Sequence, residues 1–167
     1  YDALLVKYEA LARDDNGILP PAGELANAQG GEALPSEFAG ESALQSLQRI
    51  RAEELAHFRM LSDVMAALGG DPTAQTPCAD VTATAASGLL QVVTDPRTTL
   101  AQSLNAMQAA ELIDNAGWEL LIELADDAGQ TELVPQFLAA LAQEQGHLAA
   151  VKCWHTHLVT EAAGAAV

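Results

Sequence analysis

Two copies of the spacing Glu-x-x-His constrain this chain more than anything else in it: Glu54-Leu55-Ala56-His57 and Glu144-Gln145-Gly146-His147. With 13 Glu and 4 His in 167 residues, chance supplies about 0.3 such motifs. On an α-helix, residues three apart lie on one face about one turn apart, so a carboxylate oxygen and an imidazole nitrogen converge on one point. The motif therefore asks for helices, and two copies ask for helices whose motif faces meet.

Composition agrees. Apolar residues make up 50% of the chain and aromatics 4%, with Ala and Leu dominant, which favours closely packed helices over a β-sandwich. The expectation is an all-α protein, a single domain over 1–167. The net charge of −16, with seven Lys and Arg against 23 carboxylates, excludes a polyanionic partner such as nucleic acid. No apolar run reaches the length of a membrane span, and no basic and apolar leader opens the chain, so a soluble, cytoplasmic protein is expected. Cys78 and Cys153 lack Cys-x-x-Cys spacing, so they read as free thiols, neither a disulfide framework nor a metal knuckle.

Four helices follow from periodicity and end signals. The first runs over about 1–13, with Tyr1, Leu4, Leu5, Tyr8, Leu11 and Ala12 as its apolar stripe, and stops at Asp14-Asp15-Asn16-Gly17. It is already in helical register at Tyr1, from which residues are expected upstream. Residues 17–40, rich in Pro and Gly, read as a long mobile connection. The second helix covers about 42–68, with Leu47, Ile50, Phe58, Leu61, Met65 and Leu68 at helical spacing, and ends at Gly69-Gly70-Asp71-Pro72. Residues 69–96 read as a second long connection with one short apolar segment, Leu89 to Val93. The third helix, about 96–127, follows Asp95-Pro96 as N-cap and first-turn proline and carries Leu100, Leu104, Met107, Trp118, Ile122 and Ala125. The fourth, about 131–160, follows a tight turn with Thr131 capping and carries Phe137, Leu141, Leu148, Val151 and Leu158. Two antiparallel hairpins joined by one long crossover is the connectivity of a ferritin-like four-helix bundle.

At about 100° per residue, Glu54 falls at the centre of its stripe and His57 at the flank; Glu111 interrupts the stripe Leu104, Met107, Trp118; Glu144 stands between Leu141 and Leu148 with His147 at the edge. A carboxylate buried among apolar residues is destabilising by several kcal/mol unless it is paired or binds a metal. Three inward Glu and two inward His therefore call for a shared cation.

With Glu111 and the two motifs in these places, the chain resembles the ferritin-like di-iron and di-manganese carboxylate proteins, among them rubrerythrin, ferritin, manganese catalase and the ribonucleotide reductase small subunit. The resemblance implies two iron (or manganese) ions, with Glu54 and Glu144 bridging and His57, His147 and Glu111 as terminal ligands. It further implies redox activity of a ferroxidase or peroxidase type with O2 or H2O2 as the small-molecule oxidant. The alternative is a non-enzymatic stress or interaction scaffold with a weak or vestigial site. A homodimer is left open.

The departure is on the first helix, where symmetry would place a further Glu 33 residues before Glu54 and position 21 is Pro21. Glu9 projects away from the stripe and lies too near the helix end, so a sixth ligand is expected upstream of Tyr1, with Glu9 the weaker choice. Asp114, one turn after Glu111, is read as a hydrogen-bond partner of a ligand imidazole, an added ligand as in the rubrerythrin Glu-x-x-Glu helix, or an exposed Asp. Trp118 and Trp154 read as core filler flanking the site. Tyr8 reads as an ordinary core residue, and His155 and His157 as surface or packing residues.

Overall fold

Reciprocal caps set where two of the three helices that carry the candidate ligands begin. Ser42 Oγ accepts the Gln45 amide at 3.3 Å while Gln45 Oε1 accepts the Ser42 amide at 2.9 Å, and Thr99 and Gln102 repeat the arrangement at 3.2 and 2.8 Å. Each box satisfies backbone donors that the first turn leaves unpaired. The computed structural model of the chain describes residues 1–12, 18–29 and 33–165. It contains α1 (Asp2–Ala12), α2 (Ala22–Gln29), a single 3-10 turn (Ser36–Phe38), α3 (Ala43–Ala67), α4 (Pro77–Thr94), α5 (Leu100–Asp127) and α6 (Val134–Gly164). Among the described residues there is no strand, and no helix is long and apolar enough to cross a membrane.

The protein is all-α, and four of the helices lie close to the expected ones. Both long connections differ from expectation. Residues 17–40 contain α2, started by Pro21, whose carbonyl accepts the Glu24 and Leu25 amides at 3.1 and 3.2 Å; Ala22, Leu25 and Ala26 bury its inner face. Residues 69–96 contain the 18-residue α4, capped by Thr76 with Pro77 in its first turn. Its residues 77–88 are exposed on every side, and only the Leu89–Val93 end packs, with Val93 buried. A helix with no buried face over three turns has no apolar period to reveal it.

Two starts also move. Asp95 does not cap α5: its carboxylate accepts the Arg97 amide at 2.9 Å and pairs with the Arg97 guanidinium at 2.6 Å. The helix begins at Leu100 behind the Thr99 box. α6 begins at Val134, with Pro135 in its first turn and no side-chain cap, so Thr131 lies in the preceding turn. Gly129, at φ 72°, closes α5 in the left-handed conformation that glycine adopts without strain. The expected stop at Asp14 to Gly17, and Arg13, lie outside the described residues.

The core is split in two along the helix axes. One cluster joins Leu4, Leu5 and Tyr8 of α1 to Leu47 and Ile50, Leu104 and Met107, and Val151 and Trp154. The other joins Trp118 and Ala125 to Phe137 and Ala140, with Leu61 and Val64 of α3 packed against them. Residues 53–57 of α3, 111–115 of α5 and 144–147 of α6 lie between the two clusters in sequence on each helix, so the polar candidates form a layer separating two apolar ones. Phe58, Met65 and Leu68, read as part of the inward stripe of α3, are 67%, 47% and 57% exposed. α1 engages α3 through the Asp2–Arg51 ion pair and the apolar residues before it, and no described helix covers the outer side of α3 beyond that level.

The segment 33–40, expected to be mobile, is docked. Phe38 is buried at 2% exposure, and the Arg49 guanidinium stacks 4.3 Å above its ring. Gly146 makes the docking fit: a Cβ there would stand 3.0 Å from Pro35 Cγ and 3.3 Å from Phe38 Cε2. Gly117, also within a helix, has open space around it. Gly146→Ala is therefore expected to lower stability by about 1 kcal/mol, overpacking outweighing the better helix propensity of alanine, with Tm down by about 2–4 °C. Gly117→Ala should raise Tm. Melting curves of the two variants check the opposed signs.

Candidate metal centre

Four buried ligand atoms meet between α3, α5 and α6: a carboxylate oxygen each from Glu54, Glu111 and Glu144 and a ring nitrogen of His147, all within 4.8 Å of one another. Glu111 and Glu144 are 1% exposed and His147 0%. The atoms that face inward, Glu54 Oε1, Glu111 Oε2, Glu144 Oε2 and His147 Nδ1, have no hydrogen-bond partner among the described residues. Buried polar atoms are almost always satisfied, so four orphans aimed at one point mark a place for a cation. Opposite ligand atoms on an ion with bonds of about 2.0–2.4 Å lie about 4.0–4.8 Å apart, which fits the observed spread.

The other atoms of the same side chains are held by neighbours. Glu144 Oε1 accepts from His57 Nδ1 at 2.7 Å and from Trp118 Nε1 at 3.2 Å. Glu111 Oε1 accepts from the Tyr1 hydroxyl. His147 Nε2 donates to Glu53 Oε2 at 2.7 Å. Asn115 Nδ2 donates to the Glu111 and Glu144 carbonyls at 2.8 and 3.2 Å, tying α5 to α6 at the level of the site.

The electrostatics follow from this crowding. Burial, with the Glu54 and Glu144 carboxylates adding to it, pushes Glu111 up to about 8 against the opposing effects of Tyr1 and His147. For Glu144 burial acts upward too, but His147 and His57 outweigh it and hold the carboxyl down at about 2. Burial would lower His147, yet the carboxylates of Glu144, Glu54 and Glu53 push it up to about 10.

No protein family, curated protein or solved structure matches the chain. The site therefore stands on its own geometry.

Of the five expected ligands, the structure brings together Glu54, Glu111, Glu144 and His147. His57 is adjacent but outside this set: Nδ1 faces Glu144 and Nε2 faces Gln143 Oε1 at 2.8 Å, and its ring meets the Trp118 ring edge-on at 5.4 Å. Glu9 is exposed on α1, away from the site. Asp114 is exposed at the mouth of a cavity of about 340 Å³ that Tyr1, Arg51, Glu54 and Glu111 also line. Packing around its carboxyl, with Glu54 and Glu144 nearby, pushes it up to about 6. Among the described residues no hydrogen bond joins Asp114 to either imidazole, and Glu53 holds the His147 ring instead. Trp154 is core as expected, with Nε1 donating to the Pro20 carbonyl at 3.0 Å. Tyr8 is buried in the first apolar cluster. His155 is half-buried against Gln108, and His157 lies 3.8 Å from Glu161.

Glu53, Trp118, Asn115 and Tyr1 act at the site without having been singled out as polar participants. The adjacency of Glu53 to Glu54 was the available signal for the first. Asn115, four residues after Glu111 and three before Trp118, interrupts the same apolar stripe as Glu111 and carried that signal, whereas nothing in the spacing of Trp118 and Tyr1 distinguishes them from packing residues.

Proposed function

We propose that the chain is a metal protein of the ferritin-like carboxylate kind, holding an iron or manganese ion on Glu54, Glu111, Glu144 and His147 for redox chemistry with O2 or H2O2. The observation that carries the reading is the convergence of four buried, unpartnered ligand atoms, one from each of these residues. Three carboxylates and one imidazole are a donor set that suits first-row ions such as Fe and Mn. Bound there, the ion would supply one-electron exchange with the oxidant. The three carboxylates balance a trivalent ion and leave a divalent one with surplus negative charge, so in a buried site these residues favour the oxidised state. The cavity lined by Tyr1, Glu54, Glu111 and Asp114 provides a route for a small oxidant.

The arrangement of atoms favours one ion per chain. The outer oxygens of Glu111 and Glu144 are engaged by Tyr1, His57 and Trp118, and Nε2 of His147 by Glu53, which leaves one inward atom from each of these three residues. Two ions, as the sequence motifs suggest, would require His57 to leave Glu144 and Gln143. Titration of the metal-free protein with ferrous iron under anaerobic conditions should therefore saturate at one ion per chain, and subsequent exposure to O2 or H2O2 should consume oxidant within seconds. Saturation at two ions would restore His57 as a ligand. No binding at micromolar iron would end the metal reading.

A second reading, an interaction scaffold without redox activity, draws on one observation: Phe58, Met65, Leu112, Leu120 and Leu124 of α3 and α5 are exposed large apolar side chains. Metal binding without oxidant consumption would favour it.

A further inference from the structure

We propose that Glu53 is a positioning residue for the metal centre, holding a proton of His147 on Nε2 so that Nδ1 is the nitrogen that binds the ion. The inference rests on the metal-centre reading and adds to it a residue that is not itself a ligand. A neutral imidazole has one N–H and one lone pair, and the hydrogen bond at one nitrogen decides which form the other takes. His147 Nε2 lies 2.7 Å from Glu53 Oε2. A carboxylate oxygen accepts only, so Glu53 keeps a proton on Nε2, and the nitrogen left to give up its proton to an ion is Nδ1, which stands 3.4 Å from Glu54 Oε1 and 3.3 Å from Glu144 Oε2.

Consecutive residues of α3 thus bracket one ring of α6. Glu53 takes the outer nitrogen and Glu54 faces the inner one, which the 100° step between neighbours on a helix allows when the ring enters between them.

Glu53 is itself fixed from behind. Arg49, one turn earlier on α3, donates from Nη1 to Glu53 Oε2 at 3.0 Å and Oε1 at 3.2 Å. The same guanidinium donates from Nε and Nη2 to Glu41, both at 3.0 Å, and stacks on Phe38. A planar fork held by two carboxylates and a ring face has little freedom. The series Phe38, Arg49, Glu53, His147 connects the docked segment 33–40 to a ligand atom. Outer partners of this kind orient the imidazole and raise its basicity toward the ion.

The test uses zinc(II) as a diamagnetic probe, read by calorimetry and by long-range 1H–15N correlation of the His147 ring. In the wild type the spectrum should show zinc on Nδ1 and the proton on Nε2. Glu53→Ala should weaken zinc binding about 10- to 100-fold, while Glu53→Gln, which keeps an acceptor oxygen, should recover most of that loss. The Nε2 proton should move upfield in both variants as the charged acceptor is lost. Melting of each metal-free variant shows whether it is folded; if Glu53→Ala is not, the Glu53→Gln spectrum decides alone. Zinc affinity within twofold of wild type in a folded Glu53→Ala, or an unshifted Nε2 proton in Glu53→Gln, overturns the role of Glu53 and leaves the metal centre standing. Failure of the wild type to bind zinc removes both.

Discussion

Exchanging Glu144 for glutamine is expected to weaken metal binding by at least about 100-fold while leaving the helices in place. The side chain keeps its size, so neither a cavity nor overpacking follows. Its two ends face different demands. On the outer side His57 Nδ1 and Trp118 Nε1 both donate, at 2.7 and 3.2 Å, so the amide must present its oxygen to them. That orientation turns the NH2 group toward Glu54, Glu111 and His147, where it offers hydrogens in place of a lone pair and removes one negative charge. With Glu144 at 1% exposure, bulk solvent screens the change little, and flipping the amide would set a donor against two donors. Glu9→Gln, on the exposed side of α1, serves as the control and should leave affinity unchanged. The measurement is ferrous or zinc affinity of the two variants, with the metal-free melting curve as a check on folding. Affinity within tenfold of wild type for Glu144→Gln would mean that the ion, if bound, sits elsewhere.

That Glu144, Glu54, Glu111 and His147 face inward could be read from the helical period alone, because an interrupted apolar stripe is a statement about angle around one helix. The period does not specify what each residue meets. The two Glu-x-x-His motifs look equivalent in sequence, yet His147 enters between Glu53 and Glu54 with Nδ1 inward, whereas His57 turns toward Gln143 and the edge of Trp118. The difference comes from neighbours on other helices. The same limit explains Glu53: its place on the flank of the α3 stripe is ordinary, and only the arrival of the α6 imidazole gives it a role. On the scale of the fold, α3, α5 and α6 were legible because they are long and bury one face. α4 was not, since a helix exposed all round from Pro77 to Gly88 has no period. α2 was hidden because three buried residues in eight, among prolines and glycines, resemble a loop.

Protons should leave as the ion arrives, about two per ion at pH 7, and this sets how affinity depends on pH. In the metal-free protein Glu111 is pushed up to about 8 and His147 to about 10, so at neutral pH both hold a proton. Coordination uses Glu111 Oε2 and His147 Nδ1 and removes both protons, whereas Glu144, held down at about 2, has none to give. Affinity therefore rises with pH, by about 100-fold per unit below pH 8 and by about tenfold per unit from there toward 10. Ligands with ordinary values would give an almost flat dependence above pH 7.

Folding of the metal-free protein should show the matching effect. The folded chain retains the Glu111 proton above about 4.5, where the unfolded chain releases it, and the His147 proton above about 6.5. Because the native state then binds more protons than the unfolded one, stability contributed by these two groups falls as pH rises, from about 4.5 to 8 for Glu111 and from about 6.5 to 10 for His147. The slope is steepest where the windows overlap, between about 6.5 and 8. A saturating metal ion should flatten it, since the bound ligands have no protons left to lose. Calorimetry at pH 7 in buffers of differing ionisation enthalpy counts the protons directly, and Glu111→Gln should reduce the count by one wherever binding remains measurable. A count near zero in the wild type would show that the ion displaces no proton from Glu111 or His147.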